Sequence, residues 1–124
     1  MTALNRLLVM DDEPDVARLI ESGARQIGLE VLAVNNRDDF ERAIGKFDPT
    51  IIFVGSIMPG LGLEAIEHLA ATAYRGSIVL MGGSDPRYIQ MSSTIANMRG
   101  LTVSGILPKP FRMKQLVDML KALI

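Results

Sequence analysis

Short apolar runs alternate with amphipathic stretches along the whole chain. Leu7-Leu8-Val9-Met10 is a compact apolar run that ends at once on Asp11-Asp12-Glu13. Pro14 then suits the first turn of a helix. Val16, Leu19, Ile20, Gly23 and Ile27 recur at helical spacing until Gly28 stops them. Leu29 to Val34 reads as a second strand. Asp38 with Glu41 predicts a capping box, ahead of a helix with Phe40, Ala43, Ile44 and Phe47 on one face. Asp48-Pro49 breaks that helix. Thr50 to Val54 is β-branched and aromatic throughout, as in a strand buried on both faces.

A loop rich in Gly and Pro, Gly55 to Gly62, leads into a helix from Leu63 to Ala73 with Ile66, Leu69 and Ala70 inward. Ser77 to Met81 reads as a fourth strand, and Gly82-Gly83-Ser84-Asp85-Pro86 turns into a helix ending near Met98. Val103 to Leu107 reads as a short fifth strand, and Pro108-Lys109-Pro110 precedes a last helix from Phe111 to Leu123. Five strand–helix units of this length predict an α/β fold with a parallel sheet covered on both faces. The flavodoxin-like, doubly wound strand order 2-1-3-4-5 is the commonest solution for five units, and it places a site at the carboxyl ends of the first and third strands.

Composition narrows the chemistry. The 124 residues contain no Cys, which removes disulfides and thiolate metal or redox sites. His68 is the one histidine, so a His-cluster metal site is excluded and a His-based catalytic dyad disfavoured. Beside Glu64 and Glu67 it reads as solvent-facing. Thirteen basic against fourteen acidic residues leave a net charge of −1, without the footprint of nucleic-acid or anionic-membrane binding. No membrane span or signal peptide is evident, so a cytoplasmic location is expected. Residues 1–124 read as one domain, either a whole small protein or part of a longer chain.

The strand ends carry the candidate chemistry. Asp11, Asp12 and Glu13 follow the first strand, Gly55 the third, Gly82 the fourth, and Lys109 the fifth. Adjacent carboxylates suit a hard cation such as Mg²⁺, and a lysine opposite them suits a phosphoryl group. The same acids equally suit a plainer role, favouring the positive end of the next helix. No nucleophile–base pair points to an independent enzyme.

Five pieces of the chain, in order, resemble the response-regulator receiver domain over nearly its whole length. They are Leu8 to Glu13, Asp48 to Val54, Ile57-Met58-Pro59-Gly60, Ile78 to Met81, and Leu107-Pro108-Lys109-Pro110-Phe111. The resemblance implies the fold deduced above, and phosphotransfer from a histidine kinase onto an Asp at the end of the third strand, with Mg²⁺ bound. It implies Asp12 as the direct metal ligand, with Asp11 beside it, and a cis Lys109–Pro110 bond.

The chain departs from that pattern around one point. Counting back from Pro59 and forward from Asp48 both place the acceptor at Gly55, which has no side chain to phosphorylate. The family's switch hydroxyl falls on Gly82, with Ser84 two residues on, and its switch aromatic falls on Ile106. The loop Gly60 to Glu64 is one residue short and lacks the usual Asp. These losses predict a degenerate receiver, although Gly at 55 and 82 also answers a local backbone need. Ser56 is a poor substitute acceptor, since no base is evident beside it. With a carboxylate gone, Mg²⁺ binding is expected to be weak or absent, and Lys109 is expected to pair directly with Asp11 or Asp12.

The leading expectation is therefore a signalling module acting through protein contacts. The alternatives are an orthodox phospho-accepting receiver altered at Gly55, and a small-molecule binder using the space at Gly55 and Gly82. Expected partners are a histidine kinase or an attached output domain. A homodimer through the last two helices is the further expectation, by a face carrying Tyr88, Met91, Ile95, Met98, Met113 and Val117. Met113, Val117, Leu120 and Ile124 form one stripe of the last helix, and Leu116, Met119 and Leu123 a second. Burial of both stripes in the core is the competing reading.

Overall fold

The computed structural model describes residues 5–55, 61–82 and 85–124. Five strands, β1 (Arg6–Met10), β2 (Glu30–Val34), β3 (Ile51–Val54), β4 (Ser77–Gly82) and β5 (Thr102–Pro108), form one sheet in the order β2-β1-β3-β4-β5. All four pairings are parallel. Helices α1 (Pro14–Gln26), α2 (Arg37–Lys46), α3 (Leu61–Ala71), α4 (Pro86–Met98) and α5 (Met113–Leu123) alternate with the strands. This is the flavodoxin-like (βα)5 order that the alternating pattern predicts.

Side chains of a strand point alternately to the two faces, and the central strands are apolar on both. Leu8, Met10, Ile52, Val54, Ile78 and Leu80 face α2, α3 and α4, where Phe40, Ile66, Leu69 and Ile89 meet them. Leu7, Val9, Ile51, Phe53, Val79 and Met81 face α1 and α5, where Ile20, Ala24, Leu116 and Leu120 close the second layer. Burying two layers this way leaves the strand ends as the place where polar side chains gather.

Several local expectations shift. The capping pair of α2 is Asn36 and Asp39, not Asp38 and Glu41. Asn36 accepts the Asp39 N–H at 2.9 Å, and its amide donates to Asp39 Oδ2 at 2.8 Å. Asn36 has the extended backbone that an N-cap requires. The fifth strand is longer than expected, seven residues, because a bulge beyond Ile78↔Val103 lets Val79 pair with Gly105. The last helix begins at Met113 rather than Phe111, with Arg112 N–H capped by Gln115 Oε1 at 2.7 Å. Gly28, at φ 77°, ends α1, where the left-handed conformation suits a residue without Cβ.

Candidate functional site

The carboxyl ends of β1 and β3 lie side by side, and Lys109, which follows β5, reaches them across the end of β4, forming one polar corner. Register brings two of them together: Met10 pairs with Val54, so the residues that follow, Asp11 and Gly55, are neighbours. Gly55 N–H is held on the Met10 carbonyl at 2.7 Å, and Asp11 N–H donates to the Val34 carbonyl at 3.2 Å. The Asp11 side chain is wholly buried. Its carboxylate lies in the space that a side chain at 55 would take. A Cβ built on Gly55 would fall on Asp11 Oδ2, and within 2.6 Å of its Cγ.

Lys109 enters from β5. Its N–H donates to the Gly82 carbonyl at 2.6 Å, so the glycine at the end of β4 tethers the lysine backbone. The Lys109–Pro110 bond is cis. Lys109 Nζ donates to Asp11 Oδ2 and to Glu13 Oε1, both at 2.8 Å. The other Asp11 oxygen, Oδ1, accepts the Glu13 N–H at 2.8 Å. Desolvation pulls the Lys109 ammonium down, but the bonds from Asp11 and Glu13 outweigh it and hold its pKa above the ordinary lysine value.

The structure thus brings Asp11, Gly55, Gly82 and Lys109 together. Asp12, the expected metal ligand, is exposed, and the lysine's second partner is Glu13. The third acid of the run was the available signal for Glu13. Ser56, the loop through Gly60, and Ser84 lie outside the described residues.

Donor chemistry and geometry disagree over Mg²⁺. Asp11, Asp12 and Glu13 bring ligand oxygens within 4.8 Å of one another, and three carboxylates are the right donor type for a hard dication. Yet Asp11 has an ammonium on Oδ2 and a backbone N–H on Oδ1, and Glu13 shares that ammonium. A dication would have to displace Lys109 from two of the three acids. The residues as arranged do not fit the ion.

The family model of the response regulator receiver domain matches residues 7–121. The chain belongs to the response regulator receiver domain family. It is 25% identical over 117 residues to Regulatory protein AtoC of Escherichia coli strain K12, and it spans 94% of its own length but 24% of that protein. Crystal structures of response regulators from Colwellia psychrerythraea and Bermanella marisrubri match it at 28% and 27% identity, with TM-scores of 0.80 and 0.81. Each covers 98% of this chain, and 97% and 98% of its own. A Thermotoga maritima response regulator reaches a TM-score of 0.82 at 15% identity, a likeness of fold alone. Receivers are signalling modules of two-component systems that meet kinases and output domains, and they bind Mg²⁺ at an acidic pocket.

The expected interaction face divides. Met91 and Met98 on α4 are exposed, Tyr88 is half-buried, and Ile95 packs against the α2–α4 core layer. Met113 packs into the opposite layer with Leu116 and Leu120, as do Met119 and Leu123, and Val117 is half-buried. Most of both α5 stripes therefore serves the core, with Ile124 left exposed. His68 is not solvent-facing: its ring meets Phe40 edge-on at 6.2 Å, and Nδ1 lies 3.2 Å from Glu41. It lines a cleft of about 590 Å³ between α2, α3 and α4, whose charges pair among themselves (Arg99 with Glu67 at 2.9 Å, for example). No helix among the described residues is long and apolar enough to cross a membrane.

Proposed function

We propose that this receiver signals through protein contacts and takes no phosphoryl group at position 55. The observation behind the proposal is the exchange of side chains at the sheet corner. Gly55 offers no acceptor, and the buried Asp11 carboxylate fills its place and holds Lys109. A carboxylate sealed by burial and an ammonium is a poor nucleophile toward an incoming phosphodonor. The same filling counts against a small-molecule site beside Gly55.

The proposed partners are a histidine kinase or an output domain, with the exposed α4 surface at Met91 and Met98 as the contact and a homodimer as one form of it. Residues 1–124 act as one unit, without nucleic acid or membrane as ligand and in the cytoplasm. Mg²⁺ binding is weak or absent.

The test is intact mass after incubation with Mg²⁺ and a small phosphodonor, with Gly55→Asp alongside. The expected result is no phosphoryl increment on the unaltered chain and one on the variant, whose new side chain must first turn Asp11 out. An increment on the unaltered chain means that another residue accepts, and the proposal fails.

A further inference from the structure

We infer that Lys109 is the resident cation of this acidic corner, standing where a divalent ion would otherwise sit, and that Gly55 permits this by giving Asp11 room to turn inward. The inference rests on the reading of position 55 given above and adds the charge logic of the site.

Three observations carry it. Asp11 Oδ2 takes up the volume of a side chain at 55, so its inward position and any Cβ at 55 exclude each other. Both Asp11 oxygens have donors, Lys109 Nζ on one and the Glu13 N–H on the other, each at 2.8 Å. Lys109 Nζ also bridges to Glu13 at 2.8 Å, so one ammonium spans two of the three acids that a dication would use. A hard dication demands carboxylate oxygens at about 2 Å in near-octahedral order and dehydrates reluctantly. It would have to evict a tethered ammonium that is only 12% exposed and is held again through its backbone by Gly82. The tether gives the lysine an effective concentration that an ion in solution lacks. Coupling is the consequence: removing the ammonium, or adding a methyl at 55, should convert a metal-indifferent corner into a metal-responsive one.

The experiment is thermal melting of the unphosphorylated chain in chelator and in about 10 mM Mg²⁺ at matched ionic strength, which removes general screening. The expected shift is under about 1 °C for the unaltered chain, and about 5 °C or more for Lys109→Met, as the ion takes over Asp11 and Glu13. A Mg²⁺ shift in the unaltered chain as large as in Lys109→Met, or none in the variant, overturns the inference. Should Lys109→Met not fold, Gly55→Ala gives a second route. Mg²⁺-dependent amide shifts at residues 11–13 should appear in Gly55→Ala and be absent in the unaltered chain, and equal responses in the two overturn it. Neither measurement uses a phosphodonor, so a phosphoryl increment in the mass test would sink the function proposal without touching this result.

Discussion

Two regions, the ends of β1 and β3 and the α4 surface beside β5, invert the usual placement of polar and apolar groups, in opposite senses. At the strand-end corner a carboxylate is fully buried and its lysine partner nearly so. On α4 and β5, Met98 is 80% exposed, Met91 45% and Ile106 40%. The first inversion is answered within the molecule: each Asp11 oxygen has a donor, and the volume it needs is left by a glycine. The second has no such answer inside the described residues. A buried ion pair adds little net stability over an apolar filling of the same volume. What the corner supplies is position, a fixed Lys109. What the α4 surface supplies is apolar contact area. The comparison separates a corner closed by its own side chains from an open surface, and the same chain carries both.

Breaking the corner should cost most. Lys109→Met leaves the Asp11 carboxylate buried and uncompensated, and loss of one partner of such a pair typically costs about 3–5 kcal/mol. Denaturant unfolding in chelator reads this directly. A loss below about 1 kcal/mol would mean that Asp11 turns outward at little cost, and the corner would then be no more closed than the α4 surface. Gly55→Ala comes next. Its methyl must expel Asp11 or strain the β1–β3 pairing, and overpacking of this kind costs about 1–3 kcal/mol. The two substitutions act on one contact, so their double variant should fall well short of the sum.

Alkali should open the corner more gently. The folded pKa of Lys109 is raised above its ordinary 10.5, because the bonds to Asp11 and Glu13 outweigh desolvation. A raised lysine contributes stability that is complete below the unfolded value and is lost as pH rises through the folded one. The Lys109 contribution should therefore be flat from pH 7 to 10 and decline above 10.5. In Lys109→Met that alkaline component should be missing, and equal alkaline profiles in the two proteins would contradict the assignment.

The architecture was legible because its signals are redundant. Each central strand is a contiguous apolar run, such as Ile51 to Val54, and burial on both sheet faces needs just that. Signals that occur twice were not decisive. Asn36/Asp39 and Asp38/Glu41 have the same three-residue spacing, and the extended backbone at Asn36 chooses between them. The reach of β5 depended on a bulge, which leaves no mark in an exposed, alternating edge strand. At the corner, Lys109 near the acids follows from strand-end topology. The filling of the space at Gly55 by Asp11 does not, since it depends on the β1–β3 register and on where the Asp11 side chain points. On α5, two apolar stripes look alike in sequence, and packing against α1 and β5 assigned most of both to the core.

The smallest effect on folding should come from the α4 surface, and it is the one that tests whether that surface has a use. Met98 projects into solvent, so Met98→Gln removes no core contact and should change unfolding stability by less than about 0.5 kcal/mol. Single exposed apolar residues are ordinary. The weight of the α4 proposal lies in Met91 and Met98 standing seven residues apart, two turns along one helix face, with Ile106 exposed on the strand that α4 packs against. If that face joins two copies, sedimentation across a range of concentrations should show a dimer that Met98→Gln weakens while the melting curve of the monomer stays put. Association that is unchanged by Met98→Gln and by Met91→Gln would move the contact elsewhere on the chain. The corner at Asp11 and Lys109 would then be the better-defined of the two regions, because its partners are already inside the fold.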